Sequence, residues 1–256
     1  MNAPSKLSVV IITFNETRNI ARCIDSVRSI ADEVLVLDSF STDNTCLLAA
    51  DRGARVEQHA FDGHIQQKNR AWQMASNDWV LSLDADEALD DTLRDAIREA
   101  IKKNTPEIDG FTMNRLTNYC GHWVRHSGWY PDTKLRLFRK GKGAWTGTNP
   151  HDRFELHTMK RTVHLPGDIL HYSYYTREDH LMQIEYFSKI AAAELHAKGK
   201  RVGLPMMVAK VIAQYLKNLV FKAGFLDGPT GFTIARLSAR ATWRKYTLLK
   251  ELHAHK

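Results

Sequence analysis

Three apolar runs in the first 84 residues each end on a polar or acidic residue, and amphipathic stretches separate them. The first, Leu7-Ser-Val-Val-Ile-Ile-Thr13, is a β-branched run of the kind that forms a strand covered on both faces. Ile20, Cys23, Ile24, Val27 and Ile30 then recur at helical spacing, and Glu33-Val-Leu-Val-Leu-Asp38 reads as a second strand closed by a carboxylate. Ser41-Thr-Asp-Asn-Thr45 supplies capping side chains for the next helix, Gly53 closes it, and a third strand is expected over residues 54–61. Trp79-Val-Leu-Ser-Leu-Asp84 repeats the pattern. Strand and helix in alternation imply parallel βαβ units with helices on both faces of a sheet, and such sheets bind ligands beyond the carboxyl ends of their strands. Thr13, Asp38, Asp84 and Asp86 all fall there.

Asp84-Ala-Asp86 sets two carboxylates one residue apart at a strand end, so both project the same way. That arrangement suits a hard divalent cation with oxygen ligands, whose usual companion is a diphosphate. The plainer alternative is a solvated strand end, or the N-cap of a helix beginning at Asp90-Asp91. With 43% hydrophobic and 25% charged residues, the 256-residue chain has ordinary globular usage and is expected to be a cytoplasmic enzyme with one large core. The seven-residue opening run has neither a basic flank nor a cleavage site, so no signal peptide is expected. Cys23, Cys46 and Cys120 form no spaced metal pair; Cys23 and Cys46 sit at apolar helix positions and read as buried thiols.

Four motifs in order resemble the family 2 glycosyltransferases. Ser8-Val-Val-Ile-Ile-Thr-Phe-Asn-Glu16 resembles that family's first strand and turn, and Val36-Leu-Asp-Ser-Phe-Ser-Thr-Asp-Asn-Thr45 resembles its VVDDGSTDNT segment, with Ser39-Phe40 in place of Asp-Gly. Gln67-Lys-Asn69 stands where the family has a basic residue before Asn, and Asp84-Ala-Asp86 is similar to its Asp-X-Asp motif. Further along, Gly128–Lys140, Pro150-His-Asp152 and Leu170-His-Tyr-Ser173 resemble a bacterial subgroup that includes lipopolysaccharide core β-glucosyltransferases.

The resemblance implies an α/β fold of the GT-A nucleotide-diphospho-sugar transferase type, with a mainly parallel central sheet, helices on both faces and C-terminal amphipathic helices. Residues 1–105 would form the donor-binding half, 106–175 an acceptor-side region and 176–256 a basic helical segment. It further implies an inverting hexosyltransferase using Mg²⁺ or Mn²⁺, with UDP-glucose as donor and a lipid-linked saccharide, the heptose of the lipopolysaccharide inner core, as acceptor. Polyprenyl-phosphate or capsule intermediates are alternative acceptors, and a non-catalytic nucleotide-sugar binder is the non-enzyme alternative.

On that reading Asp86, and less directly Asp84, hold the metal, while Asp38, supported by Thr13, Glu16 and Asp43, contacts the nucleoside or shapes its pocket. Lys68 either touches the nucleotide or is a solvated helix residue. The general base is Asp132, ahead of Asp152 as competitor, and a structural turn role stays open for either. Trp129 and Tyr130 could wall an acceptor sugar. His171 is either a late metal or phosphate ligand or a satisfied structural histidine.

Charge is distributed unevenly. Residues 198–256 carry twelve Lys or Arg against Asp227 and Glu251, a balance of +10 within a net +7, so the preceding residues sum to −3. Residues 204–225 are apolar but interrupted by Lys210, Lys217 and Lys222, which suits an interfacial helix better than a span. Arg236, Arg240 and Arg244 repeat every four residues beside Phe232, Leu237, Trp243, Tyr246 and Leu248. An anionic membrane surface, at the inner face of the cytoplasmic membrane, fits this stripe; packing on the catalytic domain is the alternative. Nucleic acid is not expected, because no reader motif accompanies the charge.

Overall fold

The β-branched opening run becomes the hub of the sheet. In the computed structural model, which describes residues 5–148, 151–157 and 161–254, β1 (Leu7–Thr13) pairs in parallel with β2 (Glu33–Asp38) on one side and with β4 (Trp79–Asp84) on the other. β3 (Arg55–Gln58) extends the parallel half beyond β2. Alternate β1 side chains enter different cores. Leu7, Val9 and Ile11 pack with α1 (Ile20–Val27) and α4 (Asp91–Lys103), while Val10 packs with α3 (His64–Met74). A strand covered on both faces has no solvent side to mark with polar residues, which is why this run reads as continuous. Each such aliphatic side chain contributes roughly 1.5–3 kcal/mol by leaving water.

The sheet continues as β3-β2-β1-β4-β8-β6-β11-β5. Here β5 is Glu87–Leu89, β6 is Ile108–Tyr119, β8 is Asp132–Arg139 and β11 is Arg161–Tyr174. β8 runs antiparallel to both β4 and β6, and β11 runs antiparallel to β5. β9 (Gly143–Thr148) and β10 (His151–Leu156) form a separate antiparallel ribbon. It packs on the α3 layer through Trp145 and Phe154, whose ring stacks on Phe138 at 3.6 Å between centroids. This is the expected GT-A α/β architecture.

Local signals formed as their chemistry requires. Asp90 caps α4 by accepting from the Leu93 amide at 2.7 Å. At α2 (Thr45–Asp51) the capping carboxylate is Asp43, which accepts from the Thr45 amide at 3.0 Å. The three cysteines are free thiols, but only Cys23 is fully buried; Cys46 is half-buried beside Gln58, and Cys120 is exposed.

The chain divides into two compact units, Met1–Arg115 with Asp132–Tyr172, and Leu116–Pro131 with Ser173–Lys256. In the second unit the end of β6 pairs with β7 (His122–Val124), and α5 (Arg177–Ala197), α6 (Leu204–Leu216) and α7 (Gly228–Ala254) follow. Buried Asp227 ties the segment after β7 to the helices, accepting from the amides of Arg125 and His126 at 3.1 Å and from Ser127 Oγ at 3.0 Å. The helix expected over 204–225 is interrupted. After α6 come a π turn (Lys217–Phe221) and a 3₁₀ turn (Gly224–Asp227), separated by Ala223 at φ 51°. A left-handed residue cannot continue a right-handed helix, so the chain turns there.

Candidate active site

Parallel strands β1 and β4 lie side by side, with α1 and α4 on one face and α3 on the other, and a cleft opens beyond their carboxyl ends. Ile12 is in register with Asp84 at that point. The cleft, of about 350 Å³, is lined by Thr13 at the end of β1 and Glu16 beyond it, Ser39 after β2, Lys68 on α3, Asp84 at the end of β4 and Asp86 beyond it, Asp152 on β10 and His171 on β11. Thus seven residues expected at the site, from segments far apart in sequence, meet in one cavity.

Lys68 is the centre of the charge network. Only 4% exposed, its Nζ donates to Asp84 Oδ2 at 3.2 Å and to Asp152 Oδ2 at 2.8 Å. It is therefore not a solvated helix residue. Arg136 on β8, 3% exposed, donates to the same Asp84 oxygen, Oδ2, at 3.2 Å and to the fully buried Glu87 at 2.9 Å. Burial opposes charge on Asp84, but Lys68 and Arg136 override it and hold the carboxyl well below the ordinary range. Burial likewise works against the Arg136 cation, and Glu87 with Asp84 reverses the balance, so the guanidinium is held more firmly protonated than usual. Asp86 follows the same logic: burial disfavours its charge, and His171, whose Nε2 lies 3.2 Å from Oδ2, brings the carboxyl below its usual value. Glu16 moves the other way, raised chiefly by burial against a 2.6 Å hydrogen bond from Asn19.

One acceptor and one hydroxyl in this cleft lack partners. Thr13 Oγ1 and Asp84 Oδ1 are buried without a hydrogen bond, although Lys68 Nζ stands 3.1 Å from the latter. Among the described residues no three His, Cys, Asp or Glu side chains converge as a ready-made cage. What the cleft offers is two carboxylates and an imidazole along one wall, a partial oxygen-rich set of the kind that holds Mg²⁺ or Mn²⁺ jointly with phosphate and water.

The remaining expected residues stand elsewhere. Asp38 is wholly buried and its oxygens accept from the Ser41 amide at 2.8 Å, Ser41 Oγ at 2.5 Å and Gln58 Nε2 at 3.1 Å, so it shapes the loop after β2. Asp43, lowered to about 2 by hydrogen bonds from Thr17 and Thr45 that outweigh desolvation, organises the same loop. Asp132 lies outside the cleft lining and is held by Arg115 at 2.8 Å and Lys134 at 2.9 Å. In the second unit Trp129 packs among Tyr119, Tyr174 and His180 as part of a hydrophobic cluster, and the Tyr130 ring lies 5.8 Å from the Arg125 guanidinium. Arg236 and Arg240 are exposed on α7. Arg244 is not part of an open stripe: its guanidinium makes a two-pronged bond with Glu185 of α5, both contacts at 2.8 Å. Leu237 and Tyr246, expected beside the stripe, are buried core.

Arg136, Arg115, Glu87 and Trp145 escaped sequence reading. One signal was present: Arg136 interrupts the apolar alternation Leu135-Arg-Leu-Phe138, and a charge on the buried side of a strand requires a paired carboxylate.

The model of the family described as Glycosyl transferase family 2 matches residues 8–180. An uncharacterized glycosyltransferase of Rickettsia typhi is 31% identical over 255 residues, covering 96% of this chain and 87% of its own. The lipopolysaccharide core biosynthesis glycosyltransferase LpsC of Rhizobium meliloti is 26% identical, over 94% of this chain and 93% of its own. Among solved structures, glucosyl-3-phosphoglycerate synthase of Mycobacterium tuberculosis, in complex with Mn²⁺, UDP and glucosyl-3-phosphoglycerate, aligns at 25% identity and TM-score 0.38 over 44% of each chain. With the family match spanning more than half of its length, and a relative aligned nearly end to end, the chain belongs to glycosyl transferase family 2.

Proposed function

We propose that the chain is an inverting hexosyltransferase that moves glucose from UDP-glucose to a hydroxyl of a lipid-linked saccharide, the heptose of the lipopolysaccharide inner core. The observation that carries this reading is the convergence of Asp84, Asp86, His171, Lys68 and Asp152 on one cleft at the ends of β1 and β4. The similarity to LpsC supports the lipopolysaccharide core, and glucose rests on the resemblance of Gly128–Lys140, Pro150-His-Asp152 and Leu170-His-Tyr-Ser173 to lipopolysaccharide core β-glucosyltransferases.

Asp86, Asp84 and His171 would hold Mg²⁺ or Mn²⁺, which when bound neutralises charge on the leaving diphosphate. Thr13 Oγ1, buried and unpartnered, is available to the donor, while Asp38 and Asp43 act indirectly by fixing the nucleoside-side loop. Glu16 borders the same end of the cleft. For the base we favour Asp152 over Asp132. Asp152 lines the cleft, whereas Asp132 is tied to two cations whose pull on its charge outweighs burial and makes it a weaker base. A diphosphate gives Lys68 a competing anion and releases Asp152. Asp152 then takes the proton of the acceptor hydroxyl as its oxygen bonds to the anomeric carbon. The electrons of the breaking C–O bond leave with the diphosphate, and attack opposite the leaving group inverts the anomeric centre.

Residues 1–105 serve as the donor half and 106–175 as the acceptor side in this scheme, with Leu116–Pro131 packed among the C-terminal helices. The helical segment 176–256 supplies peripheral contact with the inner face of the cytoplasmic membrane. Among the described residues no helix is long and apolar enough to cross a membrane. What supports contact is an apolar surface on and after α6, where Met206, Ile212, Leu216, Val220 and Phe221 are exposed among exposed Lys210, Lys217 and Lys222. This surface replaces the arginine stripe as the main element.

Release of UDP from UDP-glucose with Mn²⁺, followed by the mass of the lipopolysaccharide core in a gene-deletion strain, tests the reading. Turnover in vitro and a core lighter by one hexose are expected. Metal-dependent UDP binding without turnover of any sugar nucleotide would instead mark a non-catalytic binder.

A further inference from the structure

A second cavity of about 320 Å³ adjoins the cleft, and the two share Lys68, Asp84 and Asp152. Nothing in the donor scheme uses the rest of its wall. That wall carries Arg115, Lys134, Arg136 and Arg153 as well as Lys68, so five cations face it against two carboxylates, Asp84 and Asp152. The carboxylates that balance the others, Glu87, Asp132 and Glu155, pair with those cations and are absent from the lining. The cavity wall therefore carries an excess of cationic side chains, five against two carboxylates.

Two buried donors in the same wall are unsatisfied. Arg136 Nε has no acceptor although its terminal nitrogens are engaged with Ser82, Asp84 and Glu87, and Trp145 Nε1 has none either. Trp145 also carries two cations on its ring, with Lys68 Nζ at 4.6 Å and the Arg136 guanidinium at 5.2 Å from the centroid. Leaving buried donors unpaired costs about 1–3 kcal/mol each, a cost removed by a ligand that brings acceptor oxygens. Guanidinium groups suit planar carboxylate and phosphate oxygens in particular.

We infer that this cavity is the acceptor subsite and that it selects a saccharide bearing an anionic group, phosphate or carboxylate, near the hydroxyl that is glycosylated. This rests on the transferase reading, because Asp152 stands in both cavities: the base faces donor and acceptor at once, and the cations of the second cavity would orient the acceptor by its charge.

Calorimetric titration of the full chain with glucose 6-phosphate, glucuronate and glucose, alongside a separate titration with UDP and Mn²⁺, tests the inference. One of the two charged sugars is expected to bind at least about tenfold more tightly than glucose, and which one distinguishes a phosphate from a carboxylate site. The double variant Lys134→Gln/Arg153→Gln should weaken that sugar by about fivefold or more, and Lys134→Arg/Arg153→Lys should restore it, with the UDP titration reporting that the fold persists. Equal binding of all three sugars, or undiminished binding by the double variant, overturns the inference. Retained UDP binding in that case leaves the donor reading standing, whereas a native chain that takes the charged sugar but no UDP with Mn²⁺ removes the donor reading.

Discussion

At the residue scale the two candidate bases differ in what holds them. Asp152 is engaged by Lys68, a group that a bound diphosphate can recruit, whereas Asp132 is held by Arg115 and Lys134 outside the cleft. Asp152→Asn is therefore expected to lower turnover about 10²-fold or more while UDP binding persists, and Asp132→Asn to cost far less. Steady-state kinetics beside UDP calorimetry separate the two; a dead Asp132→Asn with an active Asp152→Asn would exchange the roles. Asp86→Ala should instead abolish the metal dependence of UDP binding.

His180, buried against Tyr119 with Nδ1 3.2 Å from the phenol, is depressed by desolvation to about 4. The unfolded chain then binds the extra proton first, so stability falls as pH drops from about 6.5 to about 4, by roughly 2–3 kcal/mol in all. His180→Gln should flatten that part of a Tm-against-pH curve.

Elements meet where caps and strands share atoms. Asp90 caps α4 and, with its second oxygen, accepts from the Asp168 amide of β11 at 3.0 Å, while its own amide donates to Asp168 O at 3.1 Å. The preceding Gly167 has φ +90°, and a Cβ there would lie 2.3 Å from the Leu93 amide nitrogen. Gly167→Ala combines a disfavoured backbone with a backbone clash at the first turn of α4. Denaturant unfolding should show a loss of about 2 kcal/mol or more. The same β11 carries His171 to Asp86, so the variant should also weaken metal-dependent UDP binding.

For the whole molecule the basic C-terminal balance does not act as one stripe. Arg244 is used internally against Glu185, so Arg244→Glu should lower Tm with little effect on vesicle binding. The exposed apolar surface on and after α6 carries the membrane prediction. Phe221, 81% exposed, and Ile212 would bury their side chains in the interface, and three nearby lysines add about 1 kcal/mol each at an anionic surface. Co-sedimentation with phosphatidylglycerol vesicles at low salt, loss at high salt, and about tenfold weaker binding by Phe221→Ser/Ile212→Ser are expected. Unchanged binding by that variant would rule the surface out.

The order of strands and helices as far as β4, and the positions of Thr13, Asp38, Asp84 and Asp86 at or beside strand ends, were legible because apolar period and capping chemistry act within a few residues, whereas the antiparallel strands after β4 were not read. The interrupted α6 segment was not, since a left-handed Ala223 leaves no mark in composition. Nor was the choice between Asp132 and Asp152, or the burial of Arg136, because ion pairs join Lys68 to Asp152 and Arg136 to Glu87 across strands whose spacing in sequence carries no distance. Periodicity is a local property and determines which face a side chain takes. Partners in a buried charge network are selected only when packing brings distant strands together, because only there is the cost of an unpaired charge large enough to decide.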